Sequence, residues 1–171
     1  FTVLGITSIT IFNSIVYYSL YYTQVISGIL MISTIPVWII FISSILNIEK
    51  TNVFQIIGVI FSLTGVIFII TKADLEIIKN LDFNKGDLSM VVAMFSWAVY
   101  SALLKSKKYE ISQFSLLQVV IITGLIFLTP IYLIEMYLGN VIVLGIPFIL
   151  TLTYVVFFPG LASFIFWIKG I

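Results

Sequence analysis

Residues 1–48 read FTVLGITSITIFNSIVYYSLYYTQVISGILMISTIPVWIIFISSILNI and contain no Asp, Glu, Lys or Arg. A charged side chain at the centre of a bilayer costs about 2.5–3.5 kcal/mol, so long uncharged stretches indicate membrane spans. One helical span needs about 20 residues. This stretch is therefore predicted to hold two helices, separated near the hydroxyl and amide groups of Tyr21, Tyr22, Thr23 and Gln24.

The rest of the chain has the same character. Apolar residues make up 61% and charged residues 9% of the 171 residues, and the mean hydropathy is +1.25. A soluble domain is typically about 45–50% apolar and about 25% charged. Further uncharged stretches lie at 51–71, 88–104, 111–134 and 136–168. We therefore predict an all-α polytopic membrane protein with six transmembrane helices, at 2–21, 25–46, 53–71, 88–105, 113–135 and 147–168.

The residue types that are missing exclude most enzyme classes. The chain contains no His, no Cys and no Arg. Histidine general bases, thiolate nucleophiles, zinc or iron–sulfur ligand sets and bidentate arginine clamps on phosphate are thereby excluded within these residues. Eight Lys against seven acidic residues also provide no basic tract for nucleic acid. We expect no enzyme, no catalytic residue, no metal site and no cofactor.

The lysines indicate the orientation of the spans, because cytoplasmic connections carry an excess of Lys and Arg. Alternating spans place five lysines on one side, which is predicted to be cytoplasmic: Lys50, Lys105, Lys107, Lys108 and Lys169. The other three, Lys72, Lys79 and Lys85, then lie outside.

The connection at 72–87 is thus predicted to be extracytoplasmic. It contains Leu75, Ile78 and Leu81 at three-residue spacing, which fits either a short interfacial helix or an ordinary connector. Asp87 is placed to cap the fourth helix.

Prolines interrupt three of the predicted spans. Pro36, Pro130 and Pro159 each remove an intrahelical hydrogen bond and free a carbonyl. Ser33 and Thr34, just before Pro36, and Ser163, after Pro159, can satisfy such carbonyls. Loosened helices at mid-membrane form binding sites in transporters, whereas a static kink only shapes packing, which is the interpretation favoured for Pro130.

Polar and aromatic side chains near the centres of the spans are the remaining candidates. Asn13 must either bond a neighbouring helix or line a wet cavity, because an unpaired amide in hydrocarbon costs several kcal/mol. Trp97 and Tyr100 lie too deep for the interfacial aromatic belt. They form either an aromatic wall of a solute cavity or part of a packed core. Gly58, Ser62 and Gly65 share one face of the third helix and predict close helix packing.

Several of these features resemble the EamA-type repeats of the drug/metabolite transporter superfamily. Segment 24–71 is similar to the closing part of one repeat through Ser33-Thr34-Ile35-Pro36, the turn Asn47-Ile48-Glu49-Lys50, and a helix with Gly58 and Gly65. Segment 86–105 is similar to the opening of a second repeat through Gly86-Asp87-Leu88 and Ser96-Trp97-Ala98-Val99-Tyr100-Ser101. Segment 159–171 resembles the eighth helix of the family. The turn at Asn47 departs from the family, because it lacks the usual glycine.

The resemblance implies a ten-helix fold of two inverted five-helix repeats, of which this chain is expected to supply the third to eighth helices. Residues 1–71 would end the first repeat, 72–87 would connect the repeats, and 88–171 would begin the second. The solute cavity of the family lies between the repeats near mid-membrane. On this basis we expect a substrate-binding site formed by Asn13, Tyr17, Ser33, Thr34, Pro36, Trp97, Tyr100 and Ser163.

The predicted function is that of a secondary transporter which moves small organic metabolites across the inner (plasma) membrane by alternating access. The alternative is a non-transporting membrane scaffold or accessory subunit, in which the same side chains only pack helices together. The partners expected are a small-molecule solute and the lipid bilayer, but no nucleic acid, and a homodimer is left open.

Overall fold

The computed structural model describes residues 1–71, 84–106, 111–139 and 144–170, which contain helices and no strand. The helices are α1 (Thr2–Tyr22), α2 (Val25–Ile45), α3 (Val53–Thr71), α4 (Lys85–Ser106), α5 (Gln113–Tyr137) and α6 (Ile146–Gly170). The predicted segments coincide with these helices except at a few terminal residues. The connector at 72–83 and the lysines at 107 and 108 lie outside the described residues.

Five of these helices are long and apolar enough to cross a membrane, namely α1, α2, α4, α5 and α6. Helix α3 is 19 residues long, and its described stretch Val53–Gly65 is apolar. The prediction of an all-α polytopic protein is therefore confirmed within the described residues. The sixth span and the ten-helix inverted repeat stay predictions, as does the division at 72–87.

The chain forms two compact units. One, here called the α4 unit, comprises Ile11–Ser106, and the other, the α5 unit, comprises Phe1–Thr10 together with Lys107–Ile171. The boundary between the units falls within α1, so the two ends of this helix pack against different partners.

Helix α4 is the centre of the α4 unit. Twelve of its 22 residues are buried, and it packs against the second part of α1 and both parts of α2. Small side chains make this burial achievable, because they allow neighbouring helix backbones to approach closely. Those on α4 with less than a tenth of their surface exposed include Ala93, Ser96, Ala98, Ser101 and Ala102.

In the α5 unit, the beginning of α1 lies against the middle of α5 at very short range. A Cβ atom added at Gly5 would lie 2.8 Å from the backbone nitrogen of Gly124, and one added at Gly124 would collide with the Ile9 side chain. The Thr10 hydroxyl donates a 3.0 Å hydrogen bond to the Gly124 carbonyl. Two glycines and one hydroxyl thus create a contact in which the helix backbones themselves meet.

The regular α-helical hydrogen bonding is interrupted in three helices. Residues Ile6–Ile11 of α1 and Val156–Ala162 of α6 are π-helical, and the second of these segments contains Pro159. Helix α2 is divided into Val25–Ile32 and Ile35–Ile45. Helix α5, in contrast, continues through Pro130. Such local departures are frequent at functional sites in membrane helices.

The predicted packing stripe on α3 has no partner in the described part of the chain. A Cβ atom added at Gly58 or at Gly65 would meet no atom within 4 Å, and Ser62 is exposed as well. Small residues permit close approach but do not by themselves select the helix that approaches. Close interhelical glycine contacts of the described residues lie instead at Gly5, Gly86 and Gly124.

We predict that Gly124→Ala destabilises the protein by about 1–3 kcal/mol, because the added methyl group overpacks the contact with Ile9. Gly58→Ala is the matched control. It is expected to be neutral or stabilising, since Ala has a higher helix propensity than Gly. Unfolding of both variants in the same detergent measures the difference, and equal losses of stability would contradict the packing described here.

Candidate functional site

The candidate site is built on an aromatic cluster in the α4 unit. Trp97 and Tyr100 of α4 lie with ring centroids 5.2 Å apart, and Phe12 of α1 lies 4.5 Å from Trp97. Tyr100 is fully buried and Trp97 is 8% exposed. Because α4 is buried around much of its circumference, these rings pack between helices at its centre and do not form an interfacial belt.

Helix α2 is broken where the sequence places Ser33, Thr34 and Pro36. The Ser33 hydroxyl donates to the Leu30 carbonyl and the Thr34 hydroxyl to the Met31 carbonyl, both at 2.6 Å. Pro36 lies in the first turn of the second piece of α2, where its missing N–H costs no hydrogen bond. The two hydroxyls therefore satisfy carbonyls that end the first piece, and the second piece starts from a proline suited to that position.

The broken part of α2 borders the core that α1 and α4 share. Met90, Ala93 and Met94 of α4 are completely buried. The half-buried apolar residues packed on them come from α1 and α2 and include Phe12, Ile15, Val16, Met31, Ile35 and Trp38. Two of these, Met31 and Ile35, flank Ser33 and Thr34 in the sequence. Polar backbone and hydroxyl groups thus lie beside an aromatic and methionine core.

Seven of the eight predicted site residues lie on α1, α2 and α4 of the α4 unit. Trp97 and Tyr100 are buried, whereas Asn13, which follows Phe12, is half-buried together with Ser33 and Thr34. Tyr17 is 60% exposed, and Pro36 is exposed as well.

Ser163 belongs to the α5 unit, where its hydroxyl donates to the Phe158 carbonyl at 3.1 Å. The carbonyl that Pro159 frees belongs to Val155, four residues earlier. The hydrogen bond of Ser163 therefore goes to a different carbonyl of the π-helical segment.

Described residues in other parts of the molecule also line cavities. One, of about 130 Å³, is lined by seven residues of the α4 unit, which are Ile39, Ile40, Ser43, Glu49, Thr51, Gln55 and Lys105. Another, of about 350 Å³, lies in the α5 unit. Neither lining includes a predicted site residue. The described residues also contain no group of three or more Asp and Glu side chains that could hold a metal ion.

The sequence did not reveal a buried carboxylate network at the beginning of α4. Asp87 is 2% exposed, and its carboxylate accepts a hydrogen bond from the Thr23 hydroxyl at the end of α1. It also accepts the backbone N–H of Asn84 at 2.9 Å. The Asn84 side chain in turn accepts the N–H groups of Gly86 and Asp87.

This network corrects the expectation that Asp87 caps α4. Helix α4 begins at Lys85, so Asn84 is the N-cap and Asp87 is the third residue of the helix. The two side chains bond each other's backbone in the reciprocal pattern of a capping box. Asp87 has in addition a second role, since its hydrogen bond to Thr23 joins α4 to α1.

Glycine and lysine strengthen the same junction. A Cβ atom added at Gly86 would lie 2.8 Å from the Ser19 carbonyl oxygen and 2.9 Å from the Thr23 nitrogen. The Lys85 ammonium lies 3.6 Å from the centroid of the Tyr22 ring, in cation–π geometry. The end of α1 and the beginning of α4 are therefore held together by a close backbone contact, a hydrogen bond and a cation–π pair.

The opposite end of the α4 unit carries an ion pair. Lys105, in the last turn of α4, lies 2.8 Å from Glu49 in the turn after α2. Both side chains are about two-fifths exposed, at 40% and 44%. Exposed pairs of this kind contribute little to stability. The pair nevertheless places the ends of α2 and α4 at one level, as the alternation of spans requires.

We predict that Thr23→Val destabilises the protein by about 1–3 kcal/mol, because the buried Asp87 carboxylate loses a hydrogen-bond donor. Thr153→Val makes the same substitution at an exposed hydroxyl that bonds only the Ile149 carbonyl of its own helix. That control is expected to change stability by less than about 0.5 kcal/mol. Thermal unfolding in detergent compares the two variants, and a Thr23→Val variant as stable as the control would show that the network is not stabilising.

Comparison with known proteins finds two relatives that are named transporters. Over 103 residues, or 60% of this chain, it is 31% identical to a Bacillus subtilis (strain 168) protein named uncharacterized transporter YyaM. Over 129 residues, or 75% of this chain, it is 27% identical to an Archaeoglobus fulgidus protein named uncharacterized transporter.

The matches cover 34% and 44% of these two relatives, so the chain spans less than half of their length. No family model and no solved structure matches the chain. Together with the five apolar helices of span length, the similarity to these two relatives supports a multi-pass membrane protein.

Proposed function

We propose that the protein works as a secondary transporter of small organic metabolites in the inner (plasma) membrane, and that its EamA-like features reflect an alternating-access mechanism. The observation that carries this proposal is the break in α2 at Ser33 and Thr34, beside the core that α1 and α4 share. Backbone that leaves the helical pattern at membrane depth is tolerated only where protein or a water-filled cavity surrounds it.

The side chains around the break suit an uncharged or zwitterionic organic solute. Ser33 and Thr34 place hydroxyl groups next to a helix end, and Asn13 adds an amide on α1. Movement of α1 away from α4 would expose the rings of Trp97 and Tyr100, which would then bind apolar or aromatic parts of a solute. Amino acids and similar metabolites combine polar and apolar groups in this way.

The irregular segments are points at which the helices could bend. Helix α1 contains the π-helical segment Ile6–Ile11 and α6 the segment Val156–Ala162. In transporters, alternating access uses rocking of helix bundles around a site formed by discontinuous helices. Movement of α1 and α2 relative to α4 would open or close the region around Asn13 and Trp97. The relatives named transporters support this function for the longer protein.

A flux assay with the full-length protein tests the proposal. Proteoliposomes loaded with one of a panel of amino acids and related metabolites are expected to exchange at least one of them faster than empty liposomes. Asn13→Leu is expected to lower that flux about tenfold, because a lost hydrogen bond to a bound solute costs about 1–2 kcal/mol.

Phe54→Leu is the control for this assay, since Phe54 lies on α3 and is 80% exposed. It should leave the flux unchanged. Flux that is equal in Asn13→Leu and wild type would remove Asn13 from the site. Absence of flux for every solute of the panel, from protein that is folded and correctly inserted, would favour the scaffold function.

A further inference from the structure

The cavity in the α5 unit is lined by residues that do not belong to the proposed transport site. Its volume is about 350 Å³, and it lies where α5 begins and α6 makes its last turns. Two polar residues, Gln113 and Lys169, and three apolar residues, Phe114, Ile165 and Ile168, line it. Its volume falls within the range of small-molecule sites, which is about 300–1,000 Å³.

The polar groups of this cavity favour an anion. Lys169 is an exposed cation in the last turn of α6, and no carboxylate in the described part of the chain forms an ion pair with it. The Gln113 side chain adds amide N–H donors. Helix α5 begins at Gln113, and the Ser112 hydroxyl caps it by accepting the Ser115 N–H. The N–H groups of Gln113 and Phe114 have no acceptor within the helix and lie at its positive dipole end.

The apolar residues favour an anion that carries a hydrocarbon part. Phe114 is 61% exposed, whereas Ile168 is 7% exposed and forms a buried wall of the cavity. Helices α5 and α6 are both of span length, so the beginning of one and the end of the other lie at the level of the lipid headgroups. A free inorganic anion would gain nothing from Phe114 and Ile165.

We propose that this cavity binds an anionic phospholipid. The phosphodiester contacts the Lys169 ammonium and the Gln113 amide, and the upper part of an acyl chain lies against Phe114 and Ile165. Basic pockets between membrane helices on the cytoplasmic side recognise such headgroups in this way. The side to which the lysine distribution assigns Lys169 is the cytoplasmic one, where anionic lipids are enriched. This site is independent of the transport proposal.

Lipid binding by the full-length protein in detergent tests the proposal. Native mass spectrometry counts the phosphatidylglycerol molecules retained at rising lipid concentration, with phosphatidylcholine as the neutral comparison. We expect Lys169→Gln to weaken phosphatidylglycerol binding about fivefold, the effect of one lysine at an anionic surface. Lys169→Arg is expected to bind like wild type.

Lys50→Gln is the matched control, because Lys50 is an exposed lysine outside the cavity. It should bind phosphatidylglycerol like wild type. Equal losses in Lys169→Gln and Lys50→Gln would show that only diffuse charge attracts the lipid, and equal retention of phosphatidylcholine would show that the headgroup is not recognised. Either result would overturn the proposal.

Competition separates a lipid from a soluble anion. Inorganic phosphate and glycerol phosphate share the phosphate group of the lipid but lack the acyl chains. We expect neither of them to displace phosphatidylglycerol when present at the same concentration. Displacement would assign the cavity to a soluble phosphate compound and would contradict the lipid site. Because the measurement involves no solute flux, its outcome is separate from that of the transport assay.

Discussion

Every backbone N–H and C=O group that lies in hydrocarbon must find its hydrogen-bond partner within the protein. This constraint explains why the described membrane segments are helical and why their irregular parts occur in particular places. At the break in α2, hydroxyl groups of Ser33 and Thr34 bond the carbonyls of Leu30 and Met31. At the π-helical segment of α6, Ser163 bonds the Phe158 carbonyl. At both places hydroxyl side chains donate to backbone carbonyls of the irregular segment or next to it.

Helix α4 is the element against which α1 and α2 pack. Its small residues let α1 and α2 approach, and its larger ones, Met90, Met94, Trp97 and Tyr100, fill the space between them. Burial of the Asp87 carboxylate carries the largest free-energy cost in this arrangement unless hydrogen-bond donors surround it. Thr23 and Asn84 supply those donors, so the end of α1 is fixed in register with the beginning of α4. The aromatic cluster therefore lies between two helices whose register is fixed by the junction at the beginning of α4.

Charge distribution and hydropathy were sufficient to predict the helices. Uncharged runs bounded by acidic and lysine residues located the helices to within a few residues, and the hydroxyl and amide groups near Thr23 located the gap between α1 and α2. The division of α2 follows from hydroxyl residues directly before Pro36. These features are local, so they can be recognised in a single sequence. Trp97 and Tyr100 could be selected as candidates for a similar reason, since they are aromatic residues too far from the ends of α4 for a belt.

Contacts between distant parts of the chain were not predictable in the same way. Thr23 and Asp87 are 64 residues apart, and nothing in the local pattern of either residue indicates the other. The glycine stripe of α3 and the pair formed by Gly5 and Gly124 are equally suited to close packing. Which of them is used depends on the helix that lies opposite. Capping of α4 was assigned to Asp87 instead of Asn84 because both residue types serve as N-caps and only the first helical residue decides between them.

If the break in α2 belongs to a transport site, water and solutes reach it from the aqueous phases. The chain contains no Cys, so a single introduced thiol can be labelled selectively. The most direct measurement is the reaction of Thr34→Cys with a membrane-impermeant maleimide, applied to each side of membranes that contain the full-length protein. We expect Thr34→Cys to be labelled from both sides, and Ile42→Cys not to be labelled, because Ile42 is only 6% exposed. A Thr34→Cys variant that reacts from neither side, while Lys50→Cys reacts from one, would contradict a transport site at the break.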